Sequence, residues 1–171
     1  MHASLEIREA RPEDDPAIRR VHEEAFGRVD EADLVDALRA HGRVALSMVA
    51  CEHQRVIGHL LLSTASIEDK NTETPCLALA PMGVLPSAQR RGVGTNLVQS
   101  ALQWCRTHGH SIVVVLGHPE YYPRFGFRPA APQGIECPYD APDEAFLVLG
   151  LVPGALGRVA GRMRYAPEFP Q

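Results

Sequence analysis

Residues 76–94 read Cys76-Leu77-Ala78-Leu79-Ala80-Pro81-Met82-Gly83-Val84-Leu85-Pro86, then Ser87-Ala88-Gln89-Arg90-Arg91-Gly92-Val93-Gly94. The first part is an apolar, β-type run with an interruption in it. Pro81 has no N–H to give to a ladder and Gly83 packs no side chain, so the run is expected to be bulged, or to lie at an edge where something approaches the backbone closely. Pro86 ends it. The second part leads into a helix in which Val93, Leu97, Ala101 and Trp104 form one stripe with Val98, Leu102 and Cys105 beside it, as far as Gly109. After the helix, Ser111-Ile112-Val113-Val114-Val115-Leu116 reads as a strand buried on both faces. Strand, long helix and buried strand over about 40 residues make a βαβ crossover, which requires parallel pairing.

Upstream, Leu5-Glu6-Ile7-Arg8 alternates like a half-buried first strand. A helix is expected next, capped by Asp14 or Asp15, with Pro16 in its first turn and Ile18, Val21, Ala25 and Phe26 at helical spacing before Gly27. A second short helix follows. Asp30 is its expected cap with Asp33 near the N-terminal dipole, Leu34, Val35 and Leu38 form its stripe, and Gly42 closes it. Val44 to Cys51 and Val56 to Ile67, separated by Glu52-His53-Gln54-Arg55, read as an antiparallel hairpin. A loop from Glu68 to Thr74, with Pro75 behind it, precedes the interrupted run. Beyond the buried strand come a short helical segment at Tyr121 and Tyr122, a Pro-rich loop and a final strand from Ala145 to Val152.

The 171-residue length matches a prior of about 150 residues for one domain. An apolar content of 45% suffices for a core, which argues against disorder. A net charge of −4, from 17 Lys plus Arg and 21 Asp plus Glu, speaks against a nucleic-acid binder, so none is expected as partner. Cys51, Cys76, Cys105 and Cys137 lie 25 to 32 residues apart with no C-x-x-C pair, which gives no zinc signature and suggests buried, inert thiols; no metal is expected. The start lacks an apolar leader core, so a reducing cytoplasm is the expected compartment. The longest apolar runs are too short for a bilayer of about 30 Å, and no membrane association is expected.

Gln89-Arg90-Arg91-Gly92-Val93-Gly94 lies between a strand and a helix start, where N–H groups ahead of the first helical bond and the helix dipole attract an anion. Gly92 and Gly94 leave the backbone open to contact. Two familiar phosphate loops fail here. In the dinucleotide fingerprint G-x-G-x-x-G the third glycine is replaced by Leu97, and no acidic residue closes the next strand, which runs Leu116-Gly117-His118. A Walker A sequence is absent from the chain. What remains is a Q/R-x-x-G-x-G loop after a broken strand.

Met82-Gly83-Val84-Leu85-Pro86, the Gln89-to-Gly94 loop and Tyr122-Pro123-Arg124-Phe125-Gly126-Phe127 together resemble the GNAT superfamily of acyl-CoA-dependent N-acetyltransferases. The stretch from Leu116 to Phe127 and the ending Glu144-Ala145-Phe146-Leu147-Val148 resemble its bacterial YhbS-like branch. The resemblance covers nearly the whole chain and implies one GNAT domain over 1–171. Its implied class is α/β (an α+β mixed sheet): a central, mostly antiparallel sheet with a parallel βαβ splay, flanked by helices. It implies acetyl-CoA as co-substrate, with the pantetheine arm along Met82, Gly83, Val84 and Leu85. The pyrophosphate would lie on the loop of Gln89, Arg90, Arg91, Gly92, Val93, Gly94 and Thr95, where Arg90 and Arg91 would also meet the 3′-phosphate.

Acetyl transfer to an amine needs a neutral amine, stabilisation of the oxyanion and a proton for the leaving thiolate. By the resemblance Tyr122 donates that proton, and the amide of Val84 serves the oxyanion. Tyr121, one position earlier, reads as packing. Many relatives carry an asparagine about seven residues before the tyrosine where this chain has Val115, which removes one expected pantetheine contact. His118 and Glu120 are candidate bases; His59 reads as a structural residue, and Glu24 and Glu31 as helix charges. Family geography puts Phe26, Glu31 and the tail beside the acceptor. Arg158, Arg162 and Arg164 alternate in part along the tail and read as a solvated strand face, with attraction of an acidic acceptor as the alternative. The expected reaction is direct transfer to a primary amine of a small molecule or peptide. The alternative is a catalytically silent acyl-CoA-binding module. Dimers are common in the superfamily, so the resemblance is compatible with a homodimer, while the sequence leaves the assembly open.

Overall fold

The structure is a computed structural model that describes residues 4–171; the start of the segment read above as lacking a leader lies outside the described residues. Twelve elements follow in order: β1 (Glu6–Glu9), α1 (Asp15–Phe26), α2 (Asp30–Ala40), β2 (Val44–Glu52), β3 (Arg55–Glu68), β4 (Glu73–Val84), α3 (Val93–Thr107), β5 (Ile112–Leu116), β6 (Arg128–Pro129), β7 (Ile135–Glu136), β8 (Phe146–Gly150) and β9 (Gly161–Arg164). The strands form one mixed, nine-stranded sheet in the order β1-β2-β3-β4-β5-β8-β6, with β9 pairing β3 and β7 off that path. The chain divides into two compact units, Met1–Leu62 with Pro81–Ala101, and Ser63–Ala80 with Leu102–Gln171.

In the first unit β1 runs antiparallel to β2, from Glu6 opposite Cys51 to Glu9 opposite Met48. The β2–β3 turn is tighter than the four-residue spacer suggested. Both strands extend into the spacer and leave only His53 and Gln54, at φ of 50° and 63°, the left-handed pair that a two-residue hairpin turn requires. Both opening helices form where expected, but neither is capped by an aspartate side chain. Asp14 instead accepts two hydrogen bonds from Arg8, at 2.7 and 3.0 Å, and one from the Arg11 amide. That pairing outcompetes the cap because a fork-to-carboxylate contact is charge-assisted in both bonds. Asp30 begins α2 rather than preceding it.

Successive residues of a strand face opposite ways, and β3 shows what that positions. A Cβ at Gly58 would lie 3.0 Å from Val93 and 3.1 Å from Leu97 of α3. Its neighbour His59 is bonded by His22 of α1. Helices α1 and α3 therefore cover opposite faces of the first unit's strands. Ile18, Val21, Leu60 and Leu97 are fully buried there.

In the second unit β4 and β5 are parallel, with Leu77 opposite Val113 and Ala78 opposite Val114. That is the expected crossover. β5 is antiparallel to β8 from Ile112 opposite Gly150 to Leu116 opposite Phe146. Ile67, Ala78, Ile112, Val114, Ile135, Phe146, Val148 and Met163 form the core. The predicted loop to Thr74 is shorter, because β4 already begins at Glu73 and takes in Pro75. The strand expected last, Ala145 to Val152, is followed by β9, antiparallel to β3 and parallel to β7. At two to four residues, β6, β7 and β9 are too short to show a period in the sequence.

Candidate active site

β4 does not break where Pro81 and Gly83 suggested a bulge: it continues to Val84. What ends is its ladder to β5, whose register covers Leu77 and Ala78, so Pro81 through Val84 lie past it. A proline needs no partner for its missing N–H in such a segment. Met82 and Val84 are half-buried; Gly83 and Leu85 are buried, and the Leu85 amide donates to the Ile57 carbonyl of β3 at 2.9 Å.

After β4 the chain makes a single turn, Pro86–Ala88, and the Gln89 side chain donates back to the Val84 carbonyl at 3.0 Å. Arg90 and Gly92 have φ of 62° and 79°. A left-handed arginine costs about 1–2 kcal/mol relative to its ordinary backbone. The first helical bond of α3 runs from the Asn96 amide to the Gly92 carbonyl at 3.0 Å, so the amides of Gly92, Val93 and Gly94 lie ahead of it. Asn96 also donates its side chain to the Gly92 carbonyl at 2.7 Å, which fixes that peptide. Gln89, Arg90, Arg91 and Gly92 are exposed, Gly94 and Thr95 half-buried, and Val93 buried as the first residue of the helix stripe. Arg91, expected at a phosphate, is ion-paired with Glu52 of β2.

α1 lies against β4 where the strand has no side chain. A Cβ at Gly83 would lie 3.0 Å from His22 Nδ1 and 3.4 Å from the Ala25 Cβ. His22 Nε2 and His59 Nδ1 share a hydrogen bond of 2.8 Å, and His59 Nε2 and Ser47 Oγ another of 2.8 Å. Both imidazoles are fully buried, and His22 Nδ1 has no hydrogen-bond partner. Burial holds His22 down to about 4, against the opposing pull of the Glu31 charge. Burial also holds His59 well below the ordinary histidine value, helped by His22 and Arg39 and opposed by Asp14. His59 is thus no isolated structural residue but the middle of a three-residue row. Sequence reading did not single out His22, although its place one turn before Phe26 on the α1 stripe was a usable signal. Phe26 is 41% exposed and its ring stacks on His22 with centroids 6.0 Å apart. Glu31 is engaged by Arg28, whose hydrogen bond holds its carboxyl low, and Glu24 pairs with Arg20 at 2.8 Å.

In the second unit Tyr122 begins a short turn, Tyr122–Phe125, closed by Gly126 at φ 98°. Its ring is buried, edge-on to Phe127 with centroids 5.7 Å apart. A Cβ at Gly117 would overlap Tyr122 Cε2 and lie 3.0 Å from Cδ2, so only glycine admits the ring in this seat. Burial, with Tyr121 nearby, raises the Tyr122 phenol well above its ordinary value. Tyr121 packs as expected and carries Arg124 over its ring at 4.6 Å. His118 and Glu120 are exposed. Val115 is buried in β5. Arg158 is exposed, while Arg162 and Arg164 pair with Glu136 and Glu68 at 3.9 and 2.8 Å. Cys51, Cys76 and Cys105 are buried and Cys137 half-buried, all free; burial pushes the Cys76 thiol up to about 12 and Cys105 to about 11. Among the described residues no group of three or more His, Cys, Asp and Glu could hold a metal ion, and no helix is long and apolar enough to cross a membrane.

Comparison with known proteins places this geometry. The family model for the acetyltransferase (GNAT) domain matches residues 6–130. The N-acetyltransferase YjhQ of Escherichia coli K12 is 39% identical over 130 residues, 74% of this chain and 72% of that protein. YhbS of the same strain, also named an N-acetyltransferase, is 32% identical over 164 residues, 95% of this chain and 97% of the relative. The crystal structure of E. coli YhbS in complex with CoA superposes with a TM-score of 0.92 at 30% identity, covering 98% of this chain and 93% of that one. A GNAT acetyltransferase from Brucella melitensis in complex with acetyl-CoA gives a TM-score of 0.82 at 33% identity, covering 99% and 100%. The chain belongs to the GNAT acetyltransferase family and is an acyltransferase.

Proposed function

We propose that this protein, acting as a single cytoplasmic GNAT domain, moves the acetyl group of acetyl-CoA directly to a primary amine of a small molecule or peptide. The observation that carries the reading is the loop after β4. Its left-handed Arg90 and Gly92 lead into α3, whose first amides lie ahead of its first helical bond, in a chain with the fold of a relative crystallised with CoA. Phosphate oxygens at a helix start meet unpaired N–H groups and the positive end of the dipole. Gln89 through Thr95 hold the pyrophosphate in this reading, with Arg90 as the free cation; Arg91 must exchange Glu52 for phosphate to contribute. The pantetheine arm pairs with Met82 to Leu85, and the Val84 amide receives the oxyanion.

The amine nitrogen attacks the thioester carbonyl, the new C–N bond forms, and the C–S bond breaks with its electron pair going to sulfur. Tyr122 protonates that thiolate. Its raised pKa keeps the phenol protonated throughout the neutral range, as a donor requires.

Thiol release from acetyl-CoA, followed while alkyl amines, polyamines, amino acids and peptides are offered, tests the reading with Tyr122→Phe alongside. Turnover with at least one amine is expected, and Tyr122→Phe should lower kcat by about 10²–10⁴-fold with CoA binding retained. CoA binding without turnover on any amine would make the chain a silent acyl-CoA module. Unchanged turnover in Tyr122→Phe would remove the tyrosine from its role.

A further inference from the structure

The second unit holds a solvent-open cavity of about 520 Å³ that shares no residue with the proposed acetyl-transfer site. Small-molecule sites fall in the range of about 300–1,000 Å³. β9 and the β3–β4 turn line it, and that turn begins β4, whereas Met82 to Leu85 end it. Met163 of β9 is buried, so Arg162 and Arg164, on either side of it, share the outer face, with side chains 61% and 71% exposed.

The charges along this cavity are not used up by one another. In the β3–β9 ladder Arg162 stands opposite Glu68, and Arg164 opposite Ser66. The Glu68 carboxylate nevertheless goes diagonally to Arg164 at 2.8 Å and accepts from Ser66 Oγ at 3.1 Å. Arg162 is left with Glu136 at 3.9 Å and the Pro138 carbonyl at 3.4 Å. An exposed ion pair at that distance contributes little, so the guanidinium is available to a ligand. Asp69, which follows Glu68, has the opposite surplus: it accepts from the Lys70 amide and pairs with no cation among the described residues.

One wall is aromatic. The Tyr165 ring is half-buried, with centroids 5.4 Å from Tyr139 and 4.9 Å from Phe169. Tyr139 donates its hydroxyl proton to the Pro170 carbonyl at 2.9 Å. The Tyr165 hydroxyl has no partner among the described residues, yet it is not an enclosed orphan, so solvent reaches it. Burial of the ring raises this phenol above its ordinary value, and it remains a donor at neutral pH.

We propose that this cavity binds an aromatic α-amino acid, with Arg162 and the Tyr165 hydroxyl on its carboxylate, Asp69 on its ammonium, and the Tyr139 and Tyr165 rings against its side chain. A guanidinium beside a phenol offers only donors to a ligand, which selects a carboxylate, and an unneutralised carboxylate selects an ammonium. Arg162 and Arg164 balance Glu68 and Asp69, so neither a polyphosphate nor a polyamine is favoured. Because Asp69 is next to the residue opposite Arg162, the two spare charges are neighbours across one strand pairing. That suits the adjacent charges of one amino acid and not the separated ends of a long peptide. Flat apolar groups pack well on tyrosine rings, which selects the side chain.

Equilibrium dialysis of the full chain against labelled L-phenylalanine, without CoA, tests the site. Saturable binding is expected, weakened about tenfold in Arg162→Gln and in Asp69→Asn, each of which removes a charge-assisted contact, and less in Tyr165→Phe. Arg162 and Asp69 are exposed, so both variants should fold and bind CoA as wild type does. As competitors, N-acetyl-L-phenylalanine, phenethylamine and glycine, which lack the ammonium, the carboxylate and the ring in turn, should each be about tenfold weaker than phenylalanine. No retention of phenylalanine at about 1 mM would overturn the proposal. Binding that survives all three substitutions would put the amino acid elsewhere on the chain, and competitors equal to phenylalanine would remove the assigned contacts; either result overturns it too. None of these measurements depends on acetyl-CoA turnover.

Discussion

The loop from Gln89 to Gly94 and the row beneath Gly83 lie in one unit and are built by opposite means. In the loop the groups proposed to meet a ligand are backbone amides, Val93 is buried while Gln89 bonds back to Val84 and Arg91 pairs with Glu52, and geometry comes from two left-handed residues, Arg90 and Gly92. In the row every bonded group is a side chain. The three come from α1, β2 and β3, are separated by up to 37 positions, and are held at 2.8 Å by mutual hydrogen bonds. A site made of backbone is sensitive to what changes φ and indifferent to what fills space. A cluster of buried side chains behaves the other way round.

The sharpest way to break that contrast is Gly83→Ala. Its φ is ordinary, but the new Cβ arrives 3.0 Å from His22 Nδ1 and 3.4 Å from Ala25, so the imidazole or α1 must move. Overpacking of this kind costs about 1–3 kcal/mol. A displacement near 1 Å of the Gly83–Val84 backbone, proposed to hold pantetheine and the oxyanion, would cost about 10²-fold in kcat and weaken CoA binding with it. Urea midpoints and steady-state kinetics measure both; wild-type kcat would show that the seat is not tight.

Acid should affect the row and spare the loop. His22 titrates at about 4 when folded and at 6.5 when exposed, so between these values the unfolded chain binds the extra proton. Stability therefore rises with pH across that window and is lost as the pH falls through it, by about 2 kcal/mol at pH 5 for this one group. His59 acts in the same direction. Chemical denaturation at pH 7 and pH 5 should show the loss in wild type and a smaller one in His22→Gln; equal losses would place the acid sensitivity elsewhere.

The loop answers to a substitution that would be harmless by volume. At Gly92 a Cβ would meet only Asn96 Nδ2, at 3.7 Å, so Gly92→Ala fits sterically, yet φ of 79° strains it by about 1–2 kcal/mol. CoA should bind about tenfold more weakly, read by calorimetry, because relief of the strain re-aims the amides. Unaltered affinity would separate the cradle from Gly92.

How much of this was legible follows the same division. The helices, the hairpin, the crossover and the turn before α3 were readable because each is a local pattern: a period, a spacer between two β-rich runs, a glycine in a required place. The seats were not. Gly83 drew attention as a strand breaker, but its function as a wall for His22 depends on α1 crossing β4. Gly117 drew none, though its missing side chain is what admits the Tyr122 ring. The aspartate cap at α1 failed for a related reason: the Asp14 carboxylate is taken by Arg8 on β1 and by the Arg11 amide, not by an amide of α1.

The sequence by itself determined the family, the mixed α/β class and the backbone loop, because contiguous residues write their own dihedral preferences and hydrophobic periods. Only the tertiary structure decided that His22, His59 and Ser47 form a row and that Arg91 is held by Glu52. Burial and hydrogen bonding between segments far apart in the chain depend on packing, which no local pattern encodes.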